Sequence, residues 1–88
     1  MTLDQALAKL AADGVAERFY QVGGACGHDT IRIAREGEAW TVSYCERGQG
    51  DELVRTGDEA QAVGVFLAEV IRAWDFWRTH QPSGAAAP

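Results

Sequence analysis

Two hydrophobic periods alternate along the chain, and their order predicts its elements. Leu3, Leu7 and Leu10 recur at i, i+4 and i+7, one stripe of a short helix. Thr2 and Gln5 stand three apart ahead of that stripe, the spacing of a capping box in which hydroxyl and amide each satisfy a backbone N–H. With Asp13-Gly14 as the stop, the helix covers about residues 3–12. From Val15 the period changes. Residues 18–22 carry Phe19, Tyr20 and Val22 and read as a first strand, and the glycine-rich run from Gly23 to Asp29 reads as a flexible connector. Residues 30–35 then alternate, with Ile31 and Ile33 on one face, up to a hairpin signal at Glu36-Gly37-Glu38. Residues 40–45 alternate again, with Trp40, Val42 and Tyr44 on one face. Gly48-Gln49-Gly50-Asp51 is expected to turn the chain into a short fourth strand at residues 52–56.

Asp58 and Gln61 repeat the capping spacing. Val63, Phe66, Leu67, Val70, Ile71, Trp74 and Trp77 follow at i, i+3, i+4, i+7, i+8, i+11 and i+14. That is the broad stripe of a helix docked on a sheet, over about residues 58–78. One-sided strands between two amphipathic helices predict an α+β domain over residues 1–80, α-β-β-β-β-α, with an antiparallel meander sheet and both helices packed on one face. Residues 81–88 contain no core-forming side chain and are expected to be disordered.

Composition narrows the reading. Fifteen of the 88 residues are alanine and only 18 are Leu, Ile, Val or Phe, so the domain has one thin core. Eight Lys/Arg against thirteen Asp/Glu leave a net charge of −5, and Lys9 is the one lysine. A nucleic-acid binder needs a basic footprint, which this balance does not offer. No apolar run approaches the roughly 18 residues of a membrane span, and residues 1–5 lack the basic and apolar regions of a secretory signal. A cytoplasmic protein is expected, with Cys26 and Cys45 as free thiols, because a single bridge is improbable in a reducing compartment.

The candidate chemistry is sparse. Gly23-Gly24 with Gly27-His28 invites a phosphate loop, but a β pattern follows the glycines where a helix N-terminus is required. Cys26, His28, Cys45 and His80 include zinc-ligand types without the close ligand pairs of a structural site. Cys26, His28 and Asp29 are too close in sequence to orient one another around a substrate. No catalytic residues, cofactor or metal are therefore expected. Carboxylates gather instead around the third and fourth strands, at Glu36, Glu38, Glu46, Asp51 and Glu52, with Asp58 and Glu59 opening the second helix. Helix-dipole complementarity explains the last two, and on charge alone a solvated rim accounts for the others better than a surface that steers a basic partner does. Phe76 lies off the helix stripe, so some aromatic surface is expected to be exposed, which suits a homodimer or a partner contact.

The run Trp40-Thr41-Val42-Ser43-Tyr44-Cys45-Glu46-Arg47-Gly48, followed by Asp58-Glu59-Ala60-Gln61-Ala62 and Phe66-Leu67, resembles small immunity proteins of bacterial polymorphic toxin systems. In such proteins a strand reading Trp-x-Val-x-Tyr-x-Glu-Arg-Gly precedes an acidic-capped helix with a central Phe-Leu. The match covers about residues 38–70; Val63 and the glycine-rich connector depart from the pattern. The resemblance implies a non-catalytic protein that binds a cognate toxin domain, basic where its own substrate is a polyanion, and blocks its active site or substrate path. Glu46, Arg47, Asp51 and Glu52 are then expected to make the steering and polar contacts. Trp40 and Tyr44 are expected mainly in the core if the helices cover their face, and become contact anchors if the helices cover the other face. The rival is a small homo-oligomeric accessory or regulatory domain that pairs through the second helix.

Overall fold

The computed structural model describes residues 1–80; the disorder expected of residues 81–88 lies outside the described residues. The chain runs α1 (Leu3–Ala12), a single 3₁₀ turn (Glu17–Phe19), β1 (Tyr20–Val22), β2 (Thr30–Glu36), β3 (Ala39–Glu46), β4 (Gln49–Thr56) and α2 (Glu59–His80). This is the expected α-β-β-β-β-α order in an α+β fold, with both helices packed against a four-stranded sheet of order β1-β2-β3-β4.

The two helix starts use different chemistry. Thr2 and Gln5 form the expected capping box, each side chain bonding the other's backbone N–H. At α2 only half of that arrangement forms. The Asp58 carboxylate accepts from the Ala60 N–H at 3.0 Å, but the Asp58 N–H donates to the Thr56 hydroxyl oxygen. Gln61 is engaged elsewhere, accepting from the same Thr56 hydroxyl at 2.8 Å. Glu59 ties the helices together by accepting from the Leu3 N–H at 2.9 Å, across 56 residues of sequence.

The sheet corrects the expected meander. β2–β3 and β3–β4 are antiparallel, but β1 pairs parallel to β2, Tyr20 opposite Ile31 and Val22 opposite Ile33. A parallel crossover usually takes a dozen residues or more. Here β1 is only three residues long, so the seven residues from Gly23 to Asp29 suffice to carry the chain back beside it. Gly23 and Gly24 begin that reversal at φ of 68° and 73°, in the left-handed region that glycine enters without a Cβ clash.

The last turn also differs from expectation. It is Arg47-Gly48, with φ of 54° and 80°, the pair of positive values that a two-residue type I′ hairpin requires. Gln49, Gly50 and Asp51 therefore belong to the ladder, opposite Glu46, Cys45 and Tyr44. Farther along, Val42 faces Val54 while Ser43 faces Glu52. Leu53 is thus the extra residue of a β-bulge.

The core lies between the helices and one sheet face. Ala6 and Leu10 of α1, Ile31, Ile33 and Val42 of the sheet, and Ala62, Val63, Phe66 and Val70 of α2 form one buried cluster with Val15 and Phe19. Trp40 and Tyr44 are half-buried against this cluster, so the helices cover their face. The opposite face is polar. There Arg55 bridges Glu52 at 2.9 Å and Glu36 at 3.2 Å, and Arg32 approaches Glu36 at 3.8 Å.

The connector is folded onto this polar face rather than free. The Gln21 amide donates to the carbonyls of Gly23 and Ala25 and accepts from the Gly27 N–H, while Arg32 Nε donates to the Gly24 carbonyl at 2.6 Å. Gly48 N–H donates to the Gly27 carbonyl at 3.0 Å. The expectation of free thiols is overturned: Cys26 and Cys45 are joined in a disulfide. The doubling back that makes β1 parallel brings their Cα atoms to 5.3 Å, inside bridging range. Gly50, opposite Cys45, gives the bridge room, because a Cβ there would meet Cys26 Sγ at 2.6 Å.

Closing a loop across a sequence separation of 19 stabilises the fold by about 3 kcal/mol in the chain-entropy treatment. Denaturant unfolding with and without a thiol reductant should differ by about that amount. Gly50→Ala should cost ~1–3 kcal/mol through overpacking, and much less in a Cys26→Ala background. An equal cost in both backgrounds would show that the approach of Cys26 Sγ is not what excludes a side chain.

Candidate functional site

α2 is longer than the surface that buries it. Its fully buried positions, Ala62, Val63, Phe66 and Val70, all fall in the first twelve residues of the helix. Beyond Val70 the helix is held from one side by an aromatic cluster. Phe19, in the 3₁₀ turn, meets Trp74 edge-on at 5.4 Å between ring centroids and Trp77 at 5.8 Å, and Trp74 stacks on Trp77 at 5.4 Å. The Arg18 guanidinium lies 4.7 Å from the Phe19 centroid and 4.9 Å from that of Trp77, close enough for cation–π attraction. On its other side the end of α2 leaves the sheet uncovered.

The result is an open groove of about 870 Å³ between α2 and the ends of the strands, within the usual size of ligand sites. Ile31, Tyr44 and Leu53 line it from the sheet and Ala73, Phe76 and Trp77 from the helix. Leu53 is 45% exposed and Phe76 64% exposed. Leu53 is the bulged residue of β4. Phe76 is exposed, as its position off the helix stripe implies, and its ring stacks on His80 at 4.1 Å. Thr30 also lines the groove; its hydroxyl is the one buried side-chain polar atom without a hydrogen-bond partner among the described residues.

Acidic groups dominate the polar rim. Asp29, Asp51 and Glu69 line the groove with Arg72 and His80. Arg72 is paired with Glu69. Tyr44 donates its hydroxyl to Asp29 at 3.3 Å, and His28 Nε2 lies 3.6 Å from the same carboxylate. Asp51 has no ion-pair or side-chain hydrogen-bond partner among the described residues. Partial burial of the Tyr44 ring raises its phenol pKa above the ordinary value, and the charges of Glu46 and Asp29, with the bond to Asp29, push it the same way.

The six site residues expected from sequence do not form one surface. Asp51 stands opposite Tyr44 and shares the groove with it. Glu46 lies two residues beyond Tyr44 on the same face of β3, close enough to raise the phenol pKa. Glu52, next to Asp51, sits opposite Ser43 on the polar face, where Arg55 holds it. Arg47 occupies the hairpin tip. Trp40 is near the other end of β3, opposite Thr56, with the Arg35 guanidinium 5.5 Å from its ring centroid. The groove itself was missed in the sequence, although a signal exists. Glu69, Arg72, Ala73, Phe76 and His80 recur at i, i+3, i+4, i+7 and i+11, a second stripe on α2 beside the one that docks it.

The thiol that a Cys26–His28–Asp29 nucleophilic site requires is bonded to Cys45. Among the described residues, no group of three or more His, Cys, Asp or Glu side chains is arranged to hold a metal ion. No protein-family model, curated protein or solved structure matches the chain. Fold and site therefore stand on their own geometry.

A negative environment around Tyr44 has a measurable consequence. Asp29→Asn and Glu46→Gln should each lower the phenol pKa in a spectrophotometric titration, since each removes a charge that opposes the phenolate. Because the folded chain holds this proton more tightly than the unfolded chain, the associated stability is present below about pH 10. It is lost as pH rises through the folded value.

Proposed function

We propose that the chain is an immunity protein: it binds a cognate bacterial toxin domain and neutralises it by blocking the active site or the substrate path. The observation that carries this reading is the groove, where exposed Leu53 and Phe76 are rimmed by Asp29, Asp51 and Glu69. An exposed apolar centre with a charged border is how protein-binding surfaces are built. The sign of the border suits a basic partner, whose approach it accelerates. The strand whose Trp40-to-Gly48 pattern resembles immunity proteins supplies Tyr44 to this groove and Glu46 beside it.

The site of action is open to a finer reading than the sequence allowed. No helix among the described residues is long and apolar enough to cross a membrane. The expectation of a cytoplasmic protein rests on the sequence of residues 1–5 and the lack of a membrane-length apolar run. The free thiols are inferred from that compartment, and the Cys26–Cys45 bond runs against it. A disulfide favours an oxidising compartment, such as the cell envelope that an incoming toxin must traverse.

The 64% exposure of Phe76 also favours a second reading, a homo-oligomer that pairs through α2. Light scattering over a dilution series separates the two readings, since the neutralisation reading does not depend on self-association.

The proposal requires a toxin domain encoded beside this chain, and association kinetics with that domain are its test. The double variant Glu46→Lys/Asp51→Lys should slow association about tenfold or more at low ionic strength and flatten its salt dependence, as expected for a steered encounter. An unchanged association rate, or a wild-type chain that fails to protect cells expressing the toxin, would overturn the reading.

A further inference from the structure

We infer that the groove between α2 and the β3–β4 hairpin seats an anchoring segment of the partner, and that this segment presents an apolar side chain flanked by lysine or arginine. The inference rests on the partner-binding reading above and names the surface and its ligand chemistry.

The two sheet faces are electrostatically different. On the polar face, Glu36 and Glu52 are matched by Arg32 and Arg55, so the carboxylates are already neutralised by the sheet's own cations. The connector also occupies part of that face, fastened by the Cys26–Cys45 bond and the Gly48–Gly27 hydrogen bond. The groove has the opposite balance. Its three carboxylates face one arginine, and that arginine is committed to Glu69. Asp51 is left without a cation, and Glu46 adds negative charge beside Tyr44. A cation brought to this rim gains partners that the fold has not supplied.

The floor asks for something different. Leu53 is lifted out of the ladder by the bulge, and Phe76 lies off the stripe that docks α2; both remain exposed. With Tyr44 and Trp77 they offer apolar and aromatic surface to one incoming side chain. The aromatic faces favour cationic neighbours as well. An isolated cation would leave this surface wet, and an uncharged apolar group would leave Asp51 unmatched. A basic segment with one apolar anchor satisfies both. At about 870 Å³ the groove has the volume for a short stretch of chain.

The test uses the full chain, isotope-labelled for NMR, with two short capped probes: a peptide alternating lysine and leucine, and its glutamate–leucine counterpart. The basic peptide should produce saturable shifts at Tyr44, Leu53, Phe76 and Trp77, with affinity falling as salt is raised. Phe76→Ala should weaken it about tenfold or more, as for an interface anchor, and Asp51→Asn should remove much of the salt dependence. Both positions are exposed, so neither change threatens the core. Equal binding of the acidic peptide, or shifts confined to Glu36, Glu52 and Arg55, would overturn the inference. So would groove resonances that move with protein concentration alone, which would place a second copy there. Groove resonances that move on deleting residues 81–88 without peptide would place the chain's own tail there, with the same consequence. Toxin assays keep this inference and the function apart. A Phe76→Ala/Asp51→Asn chain that neutralises normally would overturn the groove as the seat while the immunity reading stands. A wild-type chain that takes the basic peptide in the groove but neutralises no neighbouring toxin would overturn the immunity reading and leave the groove standing.

Discussion

The burial of one stripe of α2 against the sheet is the contact on which the rest of the molecule depends. Ala62, Val63, Phe66 and Val70 close over Ile31, Ile33 and Val42, and α1 adds Ala6 and Leu10 to the same cluster. A helix of 22 residues is about 33 Å long, whereas strands of eight residues span about 26 Å. Full burial along the stripe ends at Val70, and beyond it the stripe continues only half-buried. Phe19, Trp74 and Trp77 support the helix there from one side, and the unsupported side becomes the groove. The candidate site is thus a direct product of packing a long helix on a short sheet.

A second layer of organisation sits on the far face. The connector that returns from β1 is held there by the Gln21 amide, the Arg32 guanidinium, a backbone bond to Gly48 and the Cys26–Cys45 bridge. It ends at Asp29, whose backbone is left-handed at φ 53° and whose carboxylate accepts from Tyr44 at the groove. The connector therefore links the two faces: what fastens it on the polar side also positions a carboxylate on the other. Exposed ion pairs such as Arg55 with Glu52 contribute little each, so the bridge and the buried stripe carry most of the stability.

Much of the fold was legible because periodicity reports burial directly. α1, β2, β3 and α2 each hide one face from water, and the spacing of Leu3, Leu7 and Leu10, of Ile31 and Ile33, or of Val63 through Trp77 records it. Strand direction is not recorded that way. Alternation is the same for parallel and antiparallel neighbours, and β1 is too short to show even that, so its pairing depends on how the connector returns. The disulfide follows from that return and was hidden for the same reason. β4 was half legible: with Asp51 read as part of the turn, it and Glu52 looked like one acidic patch, whereas both are in the ladder, where neighbours in sequence point to opposite faces. Of the groove, Phe76 was visible as an aromatic off the docking stripe. Leu53 was not, because only the register across β3 reveals it as the extra residue.

The bulge at Leu53 has one more effect. β4 is an outermost strand, and a long regular border with unpaired amides and carbonyls is a template on which another chain can add a strand, the first step of aggregation. An extra residue spoils the repeat of that border and increases its local twist. Asp51, Glu52 and Arg55 on the same strand put charge along it, a further deterrent to pairing. The irregularity that offers a side chain at the groove thus also withholds the backbone at the rim, so a visitor is received by its side chains and denied a place in the sheet.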